Sequence, residues 1–205
     1  MARIKANGIE IEYEAFGKKG DPALLLIMGL GAQLTLWPES LCEGLASRGF
    51  YVVRYDNRDV GLSTDFDKWG VPNIMDAFMR LMKGDKVATP YLLDDLANDA
   101  IGVLDALDID RANMVGASMG GMIAQIAAAK FPQRTRSLVS IMSTSGRRGL
   151  PVGKPEAVAM LSAQPEGPAR EQLIAHAIKL RTVIGSPGFP ADPAELRALV
   201  ERNID

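Results

Sequence analysis

The seven residues Val115 to Gly121, V-G-A-S-M-G-G, put one hydroxyl, Ser118, among four residues that carry nothing beyond Cβ. A serine at the tip of a sharp strand-to-helix turn needs such neighbours. Side chains two residues before and two after it would collide, so glycine is wanted at both places. Gly116 and Gly120 fill them, and G-A-S-M-G fits G-x-S-x-G. An apolar stretch precedes the turn and a small-residue helical stretch follows, which is the setting this motif requires. The strained turn exposes the hydroxyl of a candidate nucleophile, Ser118. It aims a helix N-terminus at the same point and offers the Met119 backbone N–H to a developing oxyanion. Two other glycine-rich chemistries do not fit. The spacing is not the G-x-G-x-x-G of dinucleotide binding, and no Gly-Lys-Ser/Thr of a phosphate loop follows.

Two further stretches agree with an acyl-transfer site. M-G-L-G-A, Met28 to Ala32, follows a continuous apolar run. A glycine-rich turn there can direct a second N–H at the oxyanion, and Leu30 is the natural donor. D-N-R-D-V-G-L-S, Asp56 to Ser63, follows the next apolar run. Its Asp56 and Arg58 are expected to brace loops by ion pairs.

The elements that must hold these residues read as alternating strands and helices. Arg3–Ala6 and Ile9–Phe16 flank Asn7-Gly8, a hairpin dipeptide. Ala23–Met28 and Phe50–Tyr55 are buried strands, with a short helix, Ser40–Arg48, between them. Tyr91–Leu107 carries Leu93, Leu96, Ala100, Leu104 and Leu107 at helical spacing, with Asp94, Asp95 and Asp105 off that stripe. The strand Asn113–Gly116, the helix Met119–Lys130 and the strand Leu138–Met142 follow. In that helix Gly121 and Ala124 let it pack close to the sheet. This order predicts an α/β fold with a mostly parallel sheet and flanking helices. After Ser145 the texture changes to a Gly- and Arg-rich loop, then helices over Pro155–Ala163, Pro168–Ile184 and from Pro193 on. Asp192 is placed to cap the last of these. The expected division is 1–145 and 146–205.

Composition bounds the partners. Of the 205 residues 47% are hydrophobic and 23% charged, and the formal net charge is −2, which gives no electrostatic reason to expect nucleic acid or an anionic membrane. Cys42 is the one cysteine, so no internal disulfide or cysteine metal cluster is expected. No apolar run approaches a membrane span, and no apolar signal core opens the sequence, so the expected location is cytoplasmic.

Taken together, M-G-L-G, D-N-R-D-V-G-L-S and G-A-S-M-G-G, in this order, resemble the α/β-hydrolase superfamily, in particular bacterial esterases of the aclacinomycin methylesterase type. The resemblance covers the chain from its first hairpin through Met142. It implies ester hydrolysis without cofactor or metal, with Ser118 as nucleophile and Leu30 and Met119 as oxyanion donors. It makes the helices after Ser145 part of a cap. A serine at the elbow speaks against the dehalogenase and epoxide-hydrolase branches, which place a carboxylate there.

The resemblance also implies an acid and a histidine on late loops beyond the cap. The one histidine, His176, falls mid-helix between Leu173 and Leu180, as a packing residue would. The position after Leu138–Met142 reads Ser143-Thr144-Ser145 and holds no carboxylate. The expectation is therefore the N-terminal part of a hydrolase whose late strands are absent from this chain. A second chain, or another copy, would complete the sheet at Leu138–Met142. A perhydrolase or haloperoxidase reaction on the same site, and a non-catalytic hydrolase-fold binding module, stay open as alternatives. Trp37, Met75, Phe78, Met79 and Met160 are candidates for an apolar substrate pocket.

Overall fold

The computed structural model describes residues 1–205 except 71, 72, 74, 75, 78, 81, 82, 148, 152 and 205. These residues fall into two compact units, Met1–Gly146 and Arg147–Asp205.

Among the described residues the first unit is built on a six-stranded sheet. Strands β1 (Ala2–Ala6) and β2 (Ile9–Phe16) form an antiparallel hairpin, with Ala6 opposite Ile9. Its two-residue turn puts Asn7 at φ 49° and Gly8 at φ 82°, the two positive angles that match the strands' right-handed twist. Strands β3 (Ala23–Ile27) and β4 (Tyr51–Tyr55) are buried along their whole length. Strands β5 (Ala112–Ala117) and β6 (Thr135–Ile141) complete the order β1-β2-β4-β3-β5-β6. The last three pairings, β4–β3, β3–β5 and β5–β6, are parallel.

Helices cover both faces because successive strand residues point opposite ways. Leu25 and Ile27 of β3 join a core with Leu96, Ala100, Leu104, Ile123 and Ala124. These come from α2 (Leu93–Ala106) and α3 (Met119–Lys130). Leu24 and Leu26 face the other way, into a core with Trp37 and Cys42 beside α1 (Glu39–Ala46). Trp37 is thus a core residue. Met79 is exposed, and Met75 and Phe78 lie outside the described residues.

Register decides where the loops meet. Ile27 stands beside Tyr55 on one side and Gly116 on the other, and Ala117 stands beside Ile141. The carboxyl ends of β3, β4, β5 and β6 are therefore level, and the turns after them emerge at one edge. β3 is also where the strand order reverses, the place where open α/β sheets form a crevice.

Among the described residues β6 closes the order with a partner on one side only. Its strand begins at Thr135, three residues before the predicted start, and stops at Ile141; Met142 turns out at φ 41°. Leu138 and Ser140 point to one face and Val139 and Ile141 to the other, yet all are exposed, Val139 by 47%.

The second unit contains α4 (Pro155–Ser162), α5 (Arg170–Ile184) and α6 (Pro193–Ile204). Pro168 stays outside α5, two residues before its start. Asp192 caps α6 as predicted: its Oδ1 accepts the N–H groups of Ala194 and Glu195 at 2.9 and 3.0 Å. Arg197 on α6 donates to both carboxylate oxygens of Glu171 on α5, at 3.0 and 3.1 Å. Among the described residues no helix is long and apolar enough to cross a membrane.

Candidate active site

Ser118 sits between β5 and α3 with φ 55° and ψ −122°, a conformation that costs a non-glycine residue about 1–3 kcal/mol. Its surroundings enforce that angle. Its N–H donates to the Ile141 carbonyl at 3.0 Å, which ties the turn to the end of β6. Its own carbonyl accepts the Gly121 N–H at 2.9 Å and starts the helix. The residue is exposed.

Glycine at positions 116 and 120 is required by contact. A Cβ on Gly116 would lie 2.1 Å from the Gly120 carbonyl oxygen, and one on Gly120 would lie 2.1 Å from that of Ile27. Both obstacles are backbone and cannot swing aside. Met119 is the first residue of α3, so no intrahelical acceptor exists for its N–H.

The turn after β3 comes up against this elbow. A Cβ built on Gly29 would stand 3.1 Å from Ser118 Cβ and 3.5 Å from its Oγ. Leu30 follows at the rim, its side chain 82% exposed. Gly31 takes φ 63°, and the Ala32 N–H closes the turn on the Gly29 carbonyl at 3.3 Å. The structure thus brings Ser118, Met119, Gly116, Gly120 and the Gly29–Leu30 turn together.

The loop after β4 supports that turn, though not by the ion pairs expected of both its charged residues. Asp56 makes backbone hydrogen bonds instead: Oδ1 accepts the Leu34 N–H at 2.7 Å and Oδ2 the Leu62 N–H at 3.0 Å. Burial pushes its carboxyl above the ordinary carboxylate value, outweighing those two bonds. Asn57 donates to the Met28 carbonyl at 2.8 Å. Arg58 does form an ion pair, with Asp99 on α2, through bonds of 2.6 and 2.7 Å. Its guanidinium also lies 5.5 Å from the Phe66 ring centre and 5.4 Å from that of Tyr91. Asp59 accepts the Tyr91 hydroxyl at 2.8 Å.

The sequence pattern missed Asn57 and Asp99. Asp99 had a signal: it falls one turn after Leu96 and before Val103, inside the apolar stripe of α2, where an acid needs a buried partner. Asn57 had none, because its acceptor lies in another loop.

His176 lies on α5 in the second unit, half-buried. It lines a cavity of about 340 Å³ there with Met160, Glu166, Glu171 and Lys179. After β6, Ser143 takes a place against α3, where a Cβ on Gly121 would meet it at 2.6 Å. Among the described residues no three His, Cys, Asp or Glu side chains gather as metal ligands would.

Comparison with known proteins agrees with this fold. The family model of the α/β hydrolase fold matches residues 22–172. Rhodomycin D methylesterase DauP of Streptomyces sp. (strain C5) is 30% identical over 95% of this chain and 65% of its own length. 3-Oxoadipate enol-lactonase 2 of Acinetobacter baylyi is 27% identical over 71% of this chain and 46% of its own. The enol-lactonase structure from Burkholderia xenovorans LB400 superposes with a TM-score of 0.64 at 24% identity, over 99% of this chain and 67% of that one. The chain therefore spans 65% of the length of the rhodomycin D methylesterase it matches. The family match opens one residue before β3, takes in the Gly29 turn, the Asp56 loop and the Ser118 elbow, and ends inside α5, so this chain belongs to the α/β-hydrolase fold family.

Proposed function

We propose that this chain is the nucleophile-bearing part of a serine-dependent carboxylic ester hydrolase. The observation that carries the proposal is Ser118 at φ 55° and ψ −122°, exposed at the head of α3 with Gly29 against it. In the proposed reaction Ser118 Oγ attacks the ester carbonyl of a small-molecule substrate. The carbonyl oxygen gains the charge and takes hydrogen bonds from the Leu30 and Met119 N–H groups. The tetrahedral intermediate then expels the alcohol and leaves an acyl-serine, which water hydrolyses.

The hydroxyl needs a base to do this at neutral pH. His176 is assigned to packing in the second unit, which is read as part of a helical cap. The histidine and its acid are assigned to residues outside these 205, along with the strands that continue the sheet past β6. Two observations support this: the chain spans 65% of its methylesterase relative, and β6 carries apolar side chains on both faces of an edge that no described residue pairs.

The test is labelling with a fluorophosphonate probe and turnover of p-nitrophenyl acetate, using the protein with whatever chain completes it. Ser118→Ala should abolish both and cost roughly six orders of magnitude in kcat. Wild-type turnover in that variant rules out the proposed nucleophile. A native protein that binds esters but never reacts with the probe is instead the non-catalytic binding module, which the lack of a histidine anywhere in the first unit favours. Peroxide-dependent turnover alone would point to the perhydrolase or haloperoxidase variant.

A further inference from the structure

Gly29 joins two peptide planes. The plane before it carries the Met28 carbonyl; the plane after it carries the Gly29 carbonyl and, on its opposite edge, the Leu30 N–H. Glycine suits this place: a Cβ at position 29 would stand 3.1 Å from Ser118 Cβ and 3.2 Å from the Ala117 carbonyl oxygen, so those neighbours would have to give by a few tenths of an ångström. Glycine is also the residue least able to hold its own dihedral angles. Something else must fix the direction of the Leu30 N–H, and the Leu30 side chain, 82% exposed, gives little packing to do it.

Both planes are pinned. The Ala32 N–H holds the Gly29 carbonyl at 3.3 Å, and Asn57 Nδ2 holds the Met28 carbonyl at 2.8 Å. The second bond is the shorter, and its donor is almost fully buried, with Asn57 2% exposed. Because the partner is a carbonyl, the side-chain amide must present its NH₂ to it. That leaves Asn57 Oδ1 buried with no hydrogen-bond partner among the described residues. A buried orphan acceptor costs about 1–3 kcal/mol, and such a cost in a fold calls for a reason. Next to Asn57, Asp56 holds the far end of the same loop at the Leu34 N–H, and Arg58 is locked to Asp99. The Asn57 backbone is thus held on both sides by neighbours whose partners are fixed.

We propose that Asn57 is a positioning residue for ester hydrolysis. It holds the Met28 carbonyl so that the peptide after Gly29 keeps the Leu30 N–H aimed at the oxyanion. It does not touch the substrate. The inference rests on the proposed serine-hydrolase reading of the same site.

The experiment compares Asn57→Ala, Asn57→Asp and Ser118→Ala in the hydrolytically competent protein with p-nitrophenyl acetate. A misaimed oxyanion donor weakens binding of the transition state and not of the ground state. Asn57→Ala should therefore lower kcat about tenfold to a hundredfold, less than the 10²–10³ of a donor lost outright, and leave KM within about twofold. In Asn57→Asp the introduced carboxyl can donate to the Met28 carbonyl only while protonated. Its kcat relative to wild type at the same pH should fall as pH rises, with near-UV circular dichroism unchanged. If Asn57→Ala does not fold, the Asn57→Asp ratio decides alone. The Gly29 amide nitrogen, bonded to the carbonyl that Asn57 holds, should shift in the ¹⁵N spectrum of either variant. Wild-type kcat in both variants, a change in KM alone, or a pH-independent ratio overturns the positioning role while an inactive Ser118→Ala leaves the hydrolase reading standing. A Ser118→Ala protein that keeps its turnover removes that reading instead.

Discussion

Arg58 and Asp99, from the loop after β4 and from the middle of α2, meet through two hydrogen bonds of 2.6 and 2.7 Å, and both side chains are buried. Asn7 adds a third bond, to Asp99 Oδ1 at 2.8 Å. This pair ties the loop that supports the Gly29 turn to a helix on one face of the sheet. Arg58→Ala leaves a buried carboxylate unpaired and should destabilise the first unit by about 3–5 kcal/mol. Replacing both partners, Arg58→Met with Asp99→Leu, should recover most of that loss. Urea unfolding of the two variants checks this; equal stability of single and double variants would show that the charge is not the cause.

The glycine contacts give a prediction independent of chemistry. Gly120→Ala drives a methyl group to 2.1 Å from the Ile27 carbonyl oxygen, which is strand backbone. Either β3 or α3 must shift, at a cost of about 3 kcal/mol or more. The melting temperature should drop by many degrees, and fluorophosphonate labelling should drop even where the protein stays folded. A fully stable, fully labelled variant contradicts the close packing at the elbow.

Alkaline titration separates another contact. Burial first, then the hydrogen bond from its hydroxyl to Asp59 and the Asp59 charge, push the Tyr91 phenol up to about 12. The folded state holds this proton more tightly than the unfolded chain, whose tyrosine titrates near 10. Tyr91 therefore adds stability that is fully present below about pH 10 and is lost as pH rises through about 12. Tyr91→Phe should be less stable than wild type at neutral pH and lose less on going to alkaline pH. Thermal melts on both sides of that window measure it, and parallel losses in the two proteins would exclude the Tyr91–Asp59 contact as the source.

β6 makes a prediction about association. Leu138, Val139 and Ile141 are exposed on a strand whose outer edge has no partner among the described residues, an arrangement that invites pairing with another chain. Light scattering at low micromolar concentration should find the chain with a partner polypeptide or with another copy. Val139→Lys should weaken that association. A stable monodisperse monomer of about 22 kDa, with nothing co-purifying, would contradict it.

Local spacing was enough for the elements that local physics controls. Asn7-Gly8 specifies its turn because two positive φ angles exclude most other residues. Gly116 and Gly120 mark the elbow because a strand that turns at once into a helix brings atoms two residues away into collision. The apolar runs of β3 and β4 announce strands buried on both faces, and the i, i+3, i+4 stripe of α2 announces its buried side. What the sequence alone could not carry were relations between distant segments. Asp56 looked like half of an ion pair, yet its oxygens are taken by the N–H groups of Leu34 and Leu62. Asn57 carried no signal of its own, yet it holds a carbonyl 29 residues away. Asp99 finds Arg58 across 41 residues. Hydrophobic period and turn chemistry are set by neighbours in the chain, but a buried polar group takes whichever partner the strand register brings within 3 Å, and that register exists only once β3, β4 and β5 lie side by side.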